Sequence, residues 1–432
     1  MGITPRAASL TAPPITEMRL AYFVNTFPAI SETFVLDQIT AMIDRGHDIT
    51  IFADRPRDDH PVHPAVDQYD LIRRTRYRPP LPATPRSHRI VALTRLMATT
   101  IHRAPRRCLA SLSAPGVGRA GIAGEVWRWA VPCLRAKPFD LLHAHHGPNG
   151  AMVQALRDID ILRAPLLTTL HGSDVLVIPR LRGRHVYERL FDAGNHFTVN
   201  TAFLESRAME LGAPRDRLAR LPVGIRPGDI RLVPMHERDD VPLRLLSVGR
   251  LVPAKGVPFA VDAAAILRDR GIDFRYDIIG DGALEDVIRA RITAHDLGDI
   301  VRLHGAKSRE DVRSFYERAH ILLAPGVVAP DGSAEAQGLA LVEALATGML
   351  VVASDVGGMT ETLHGHDAGT LVPPEDPESI ADAVTGLLGT RETWSERAKR
   401  GRESIVNRFD HDALMDRLIE CYAALTRGGT TP

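Results

Sequence analysis

Asp331–Leu363 reads DGSAEAQGLALVEALATGMLVVASDVGGMTETL, and the rest of the chain is organised around this run. Glu335 and Glu343 stand eight positions apart and bracket Gly338. An apolar helical pattern follows, then the β-prone run Met349–Ala353 and a glycine turn, Gly357-Gly358, closed by Glu361. The order so predicted is loop, helix, strand, glycine turn, helix. A helix starting near Gly338 leaves its first N–H groups free to face an anion such as a diphosphate. Glycine at that point removes the Cβ that would block a close approach. A carboxylate is ill suited to a phosphate but accepts hydrogen bonds from sugar hydroxyls. Acid before the helix, glycine at its mouth and acid two turns inside therefore suit a ligand with both hydroxyls and phosphates, and a nucleotide sugar is such a ligand. A buried amphipathic helix with two solvated glutamates would account for a lone glutamate pair at this spacing. The flanking glycine turn and Glu361 favour the ligand.

Composition sets the outer bounds. A chain of 432 residues suggests two or three domains and supports real cores. Its 53 basic and 53 acidic side chains balance, which argues against a global affinity for nucleic acid. Cys108, Cys133 and Cys421 form no close pair and no metal-ligand spacing, so a reduced, cytosolic setting is expected. The opening MGITPRAASLTAPPITE lacks the apolar core of a signal peptide, and no apolar run reaches the length of a membrane span.

Taken in order, residues 1–17 are Pro- and Thr-rich and predict a disordered tail. Met18–Val24 predicts a strand, Ser31 an N-cap for a helix to about Ile43, and Asp48–Phe52 a second strand: the start of a parallel α/β domain. Between 73 and 137, fourteen Arg and Lys residues face a single acid, Glu125, and Ile90, Leu93, Leu96, Met97 and Ile101 recur at helical spacing. Two readings stand open there. One is a basic amphipathic helix on an anionic membrane surface or a lipid-diphosphate acceptor; the other is a solvated arginine face whose apolar stripe packs on its own domain. Trp127 and Trp129 divide likewise between lipid interface and core.

Asp140–Ala144 predicts a strand running into His143-Ala-His145-His146-Gly147-Pro148-Asn149-Gly150, whose alternation puts His143 and His145 on one side and His146 on another. His-x-His is a common metal-ligand pair, but no nearby carboxylate or cysteine completes a set, so no metal is expected. The strand Leu166–Leu170 ends in His171-Gly172-Ser173-Asp174, where an α/β sheet meets its ligands. A polar linker follows over 229–241. Leu243–Val248 then leads into Gly249-Arg250-Leu251-Val252-Pro253-Ala254-Lys255-Gly256. Paired cations at a helix entrance neutralise a diphosphate as its bond breaks. Tyr276–Ile279, Val301–Leu303 with His304-Gly305-Ala306-Lys307, and Ile321–Ala324 continue a strand–helix alternation to about residue 390; Asp410–Thr426 predicts an amphipathic helix.

The E-x7-E stretch and the G-R-L-x3-K-G string of Gly249–Gly256 resemble those of the retaining glycosyltransferases of family 4. NTFPAISETFV (25–35) and HAHHGPNG (143–150) resemble segments of the bacterial colanic acid and exopolysaccharide group, where the second string reads HAHFGPNG. Ala336 and Gln337 depart from the small and aromatic residues often found before the glycine. The resemblance runs from Met18 over nearly the whole chain and implies an α/β GT-B fold of two Rossmann-like domains facing across a central cleft. Its implied parts are an acceptor domain over 18–228 that includes the basic segment 73–137, the linker 229–241, a nucleotide-sugar domain over 242–408, and a helix over 409–427 crossing back.

By the same resemblance Arg250 and Lys255, in the loop from Gly249, hold the diphosphate with backbone N–H groups near Gly338 and Leu339. Glu335 binds the transferred sugar, Glu343 the ribose, and Gly305 and Ala306 lie beside the base. His171 faces the sugar, completing a catalytic set with Glu335, Arg250 and Lys255, while Ser31, Glu32, His145 and Asn149 are acceptor-side candidates. The implied activity is retaining, metal-independent hexosyl transfer from a nucleotide-diphosphate sugar co-substrate to a saccharide or lipid-diphosphate-linked acceptor. No cofactor and no nucleic acid take part, and the enzyme is cytoplasmic or peripheral on the inner face of the membrane. The alternatives are a GT-B-fold nucleotide-sugar epimerase and a non-catalytic nucleotide-sugar-binding subunit of a polysaccharide assembly.

Overall fold

The structure, a computed structural model, describes residues 17–28, 33–56, 63–81, 86–101, 105, 119–238, 242–365 and 367–428. Among these, the strands form two sheets. The first contains β1 (Arg19–Thr26), β2 (Asp48–Arg55), β3 (Thr75–Tyr77), β4 (Leu141–His145), β5 (Leu166–Thr169), β6 (His196–Val199) and β7 (Leu218–Arg220), in the order β3-β2-β1-β4-β5-β6-β7. The second contains β8 (Leu243–Val248), β9 (Phe274–Ile279), β10 (Val301–Leu303), β11 (Ile321–Ala324), β12 (Leu350–Ser354) and β13 (Gly369–Val372), in the order β10-β9-β8-β11-β12-β13. Pairing is parallel, with Leu20 opposite Ile49, Leu246 opposite Asp277 and Leu322 opposite Val351. Parallel strands covered on both faces become near-continuous apolar runs; β12, LVVAS, is accordingly buried along its whole length.

Packing divides the chain into two compact units, residues 1–145 with 152–166, and 146–151 with 167–432. In the first, Phe23 stacks on Phe52 with ring centroids 4.8 Å apart. Trp127 and Trp129 are 1% and 4% exposed, and the Arg78 guanidinium lies over the Trp129 ring. These tryptophans are core residues, not lipid anchors. Arg86–Ile101 is helical as the spacing predicts. The side chains of Ile90, Met97 and Ile101, most of the N-terminal tail, and both Ser31 and Glu32 lie outside the described residues.

In the second unit the helix Leu339–Thr347 begins after Gly338 and ends at Gly348, both left-handed at φ 81° and 86°. Glycine reaches that region without the Cβ penalty. A helix not anticipated from sequence, Trp394–Phe409, precedes the expected C-terminal one, His411–Thr426, which Asp410 caps through Ala413 N–H at 2.9 Å. Ile225 N–H donates to the Phe409 carbonyl and His411 N–H to the Ile225 carbonyl, each at 2.8 Å. Arg417 reaches the carbonyl of Arg220, the last residue of β7, at 3.1 Å, so the chain end is tied back to the first sheet's last strand. Among the described residues no helix is long and apolar enough to cross a membrane.

β8 has β9 on one side and β11 on the other. The connections leaving β8 and β11 therefore part at their carboxyl ends, and the crevice between them is where open α/β sheets hold ligands.

Candidate functional site

Two loops meet at that crevice, Gly249–Gly256 after β8 and residues 325–338 after β11. Between them is a small cavity bordered by Gly249, Lys255, Pro325, Glu335, Gly338 and Met359. The Lys255 ammonium is hydrogen-bonded to Glu335 Oε2, and Gly338 N–H donates to Glu335 Oε1 at 3.2 Å. Burial pushes the Glu335 carboxyl up. Lys255, the Gly338 N–H and the charge of exposed Arg250 overcome that and hold it below the usual carboxylate range. Glu335 is thus ionised at neutral pH. A cation, a carboxylate and the open end of a helix stand side by side.

Glycines allow the two loops to meet. Gly256 has φ 61°, and a Cβ there would sit 1.7 Å from the Pro325 carbonyl oxygen. The second glycine turn has an equally specific task. Gly358 N–H donates to the Glu335 carbonyl at 2.9 Å, and a Cβ on Gly358 would lie 1.8 Å from the Ala336 oxygen. The turn therefore clasps the backbone that carries Glu335. Gln337, one of the departures noted above, is 2% exposed and pairs its amide with both the N–H and the C=O of Val223 at 2.8 Å. It holds the loop and does not face a ligand. Thr201 Oγ1 donates to the Ala336 carbonyl at 3.0 Å.

Farther into the helix, the buried Tyr316 hydroxyl donates to Glu343 Oε2 at 3.0 Å. Burial first, then the Glu343 charge, raises the Tyr316 phenol well above its ordinary value, so the O–H stays a donor. Gly305 at φ 68° accepts from Gly280 N–H at 2.9 Å, with Ala306 exposed beside it; His304 Nε2 lies 2.6 Å from Asp277 Oδ1. Leu339 is half-buried. Nothing in the spacing of the chain pointed to Tyr316.

His171 stands at the N-terminus of the short helix Gly172–Leu176, which follows β5. Its backbone N–H donates to Asp174 Oδ2 at 2.8 Å, and His146 Nδ1 lies 3.4 Å from the same oxygen. The His146 and His171 rings are 4.5 Å apart at 51°. Burial, reinforced by repulsion from His146 and only partly opposed by Asp174, lowers the His171 imidazole to about 3, so it is neutral at physiological pH. Asp174 is 1% exposed; burial raises its carboxyl, but His146 and His171 together bring it below the usual range. A Cβ on Gly172 would come 3.2 Å from Ala336 Cβ, so this helix start rests against the Glu335 loop.

The structure thus brings Gly249, Lys255, Glu335 and Gly338 together, with Arg250 acting on Glu335 through its charge, and sets His171 beside the adjoining loop. Leu339 follows Gly338 directly, and two of the acceptor-side candidates, His145 and Asn149, are buried. His145 is 1% exposed, stacked on His143 at 4.5 Å and near Tyr22 at 5.9 Å. His146 and Asp174 enter the site unforeseen. The His171–Asp174 spacing is that of a helix-capping pair and could have been read; the place of His146 depends on tertiary packing. Among the described residues no group of His, Cys, Asp and Glu is arranged to hold a metal ion.

Comparison with known proteins agrees with this architecture. Residues 31–224 match the family described as glycosyl transferase 4-like domain, and 233–404 the one described as glycosyl transferases group 1. The chain is 32% identical over 380 residues to the amylovoran biosynthesis glycosyltransferase AmsK of Erwinia amylovora, covering 86% of this chain and 90% of that protein. It is 30% identical over 414 residues to the putative colanic acid biosynthesis glycosyltransferase WcaL of Escherichia coli, covering 94% and 100%. The fold is similar to that of Anabaena Alr3699/HepE, solved in complex with UDP and glucose, at a TM-score of 0.66 and 15% identity over 94% of this chain and all of that one. Two Rossmann-like parallel sheets of the GT-B class, matched at both halves and across nearly the whole length, show that the chain belongs to the family 4-like, group 1 glycosyltransferases.

Proposed function

We propose that the chain is a retaining hexosyltransferase that takes its sugar from a nucleoside-diphosphate donor and passes it to a saccharide or lipid-linked saccharide in exopolysaccharide or cell-surface glycan synthesis. The observation that carries this reading is the cluster of Lys255, Glu335 and the Gly338 N–H at the parting of β8 and β11. The names of the two relatives, concerned with amylovoran and colanic acid, support the biosynthetic setting.

As the bond from sugar to diphosphate breaks, negative charge grows on the leaving group. Lys255, Arg250 and the positive end of the Leu339–Thr347 helix stabilise it. Lys255 already pairs with Glu335, so an arriving diphosphate shares or takes over that ammonium while the carboxylate turns to sugar hydroxyls. Glu343 accepts from the ribose, the base lies by Gly305 and Ala306, and neutral His171 faces the sugar. With no dedicated nucleophile assigned, retention follows from front-face attack, in which the departing phosphate accepts the proton of the acceptor hydroxyl. No divalent cation is required. The basic segment 73–137 favours work at an anionic membrane surface.

Thermal unfolding of wild type and Lys255→Ala with UDP, GDP and ADP tests the donor site. A ligand at about a hundred times its Kd adds roughly 2.7 kcal/mol. Stabilisation by one nucleotide, weakened in the variant, is the expected result. Failure of all three, and of intact nucleotide sugars as well, removes the reading. Transfer lost in EDTA and restored by magnesium would overturn its metal independence, and an inverted anomeric proton in the product would overturn retention.

A further inference from the structure

We propose that His146 is a further positioning residue of the transfer site, tied through Nδ1 to Asp174 and holding the His171 ring against which it packs. The inference rests on His171 facing the sugar. Four features converge on it. His146 has φ 75°, in the left-handed region that only a few per cent of non-glycine residues occupy. The next residue, Gly147, passes so close over the buried Tyr187 ring that a Cβ would lie 2.6 Å from Cζ, which pins the turn from below. A carboxylate as buried as that of Asp174 needs donors. Its Oδ2 takes the His171 backbone N–H at 2.8 Å and faces His146 Nδ1 at 3.4 Å. An imidazole that donates there in its neutral form carries the proton on Nδ1 and has none on Nε2.

One oxygen therefore fixes both histidines, one by its backbone and the other by its ring, and the two rings are 4.5 Å apart. The contact of Gly172 with Ala336 links this pair to the Glu335 loop. This is also where the chain departs from the HAHFGPNG string it resembles. A phenyl ring could fill the same space but could not donate to Asp174. An imidazole at this position joins the packing role to a hydrogen bond.

Asn and Gly both tolerate positive φ, so His146→Asn and His146→Gly test the side chain without adding backbone strain. Asn also keeps an N–H near the position of Nδ1. The expected result for His146→Gly is a kcat lowered roughly ten- to hundredfold, the scale of a misplaced reacting group. Donor KM should stay within about twofold, because ground-state binding is untouched. His146→Asn should recover most of the loss. Independently of turnover, long-range proton–nitrogen spectra of histidine-labelled protein should show neutral His146 as the Nδ1–H tautomer. Wild-type kcat in His146→Gly, no recovery in His146→Asn, or an Nε2–H tautomer would each overturn the proposal. A wild-type protein that transfers no sugar from any donor defeats the reading of function instead, and the tautomer still decides the role of His146.

Discussion

The Lys255 ammonium serves as counter-ion to the Glu335 carboxylate. Lys255→Ala should therefore act twice. It should lower kcat/KM by about a hundredfold or more, as loss of one stabilising donor does, and it should leave Glu335 partly buried with weaker compensation, raising its pKa. Carbonyl-region infrared spectra of the variant would detect that protonation. At the same scale, buried histidines add to the loss of stability in acid. His196 is 2% exposed; burial, then the Arg217 charge, lowers its imidazole to about 4. His171 is lowered in the same direction. Both are neutral in the folded chain over a range where the unfolded chain binds protons. Stability is complete above about pH 6.5 and falls as pH drops from there toward the folded values. Urea melts at pH 6.5 and 5 should differ by roughly 2 kcal/mol on account of His196 alone, at about 1.4 kcal/mol per pH unit. His196→Gln should remove that part of the slope; an unchanged slope would defeat the assignment. Lys255 and Glu335, which meet in the cavity, could be singled out from residue type and spacing. The inward turn of Gln337 onto Val223 could not, since its partner lies 114 positions away.

At the scale of elements, glycine is the most readable signal. Gly338 opens its helix where the sequence placed the start, and Gly348 closes it, because only glycine takes left-handed backbone there without cost. Gly256→Ala should destabilise by well over ~1 kcal/mol, since it combines positive φ with a Cβ driven into Pro325. Gly228→Ala, with nothing within 4 Å of the new Cβ, should be close to neutral. Chemical denaturation of the pair checks both. Gly358→Ala should displace the Glu335 backbone and reduce donor-induced stabilisation even where the protein stays folded. Three strands that the sequence did not announce, β3, β7 and β13, are edge strands of three or four residues. An edge strand needs only one partner and little burial, so its residues carry no long apolar run.

At the scale of the whole molecule, the C-terminal helix is structural cover. Leu414, Met415, Leu418, Ile419, Tyr422 and Leu425 are each at most 9% exposed. At about 1.5–3 kcal/mol per buried side chain, their loss is comparable with the entire stability of an ordinary domain. A chain ending at residue 409 should therefore be recovered unfolded or aggregated; a monomer with a wild-type melting temperature would show that the helix is dispensable. The sequence by itself determined the alternation of strands and helices, the glycine turns, the cations and carboxylates of the loops after β8 and β11, and the family, because each is written in local period, residue type or short spacing. Tertiary structure alone decided that Lys255 meets Glu335, that Gly358 clasps the Glu335 backbone, that Tyr316 serves Glu343, and that Asp174 gathers His146 and His171 around one oxygen. Those pairings join residues far apart in the chain or turned by local strain, and only the packed crossovers of a parallel sheet bring them within hydrogen-bond reach.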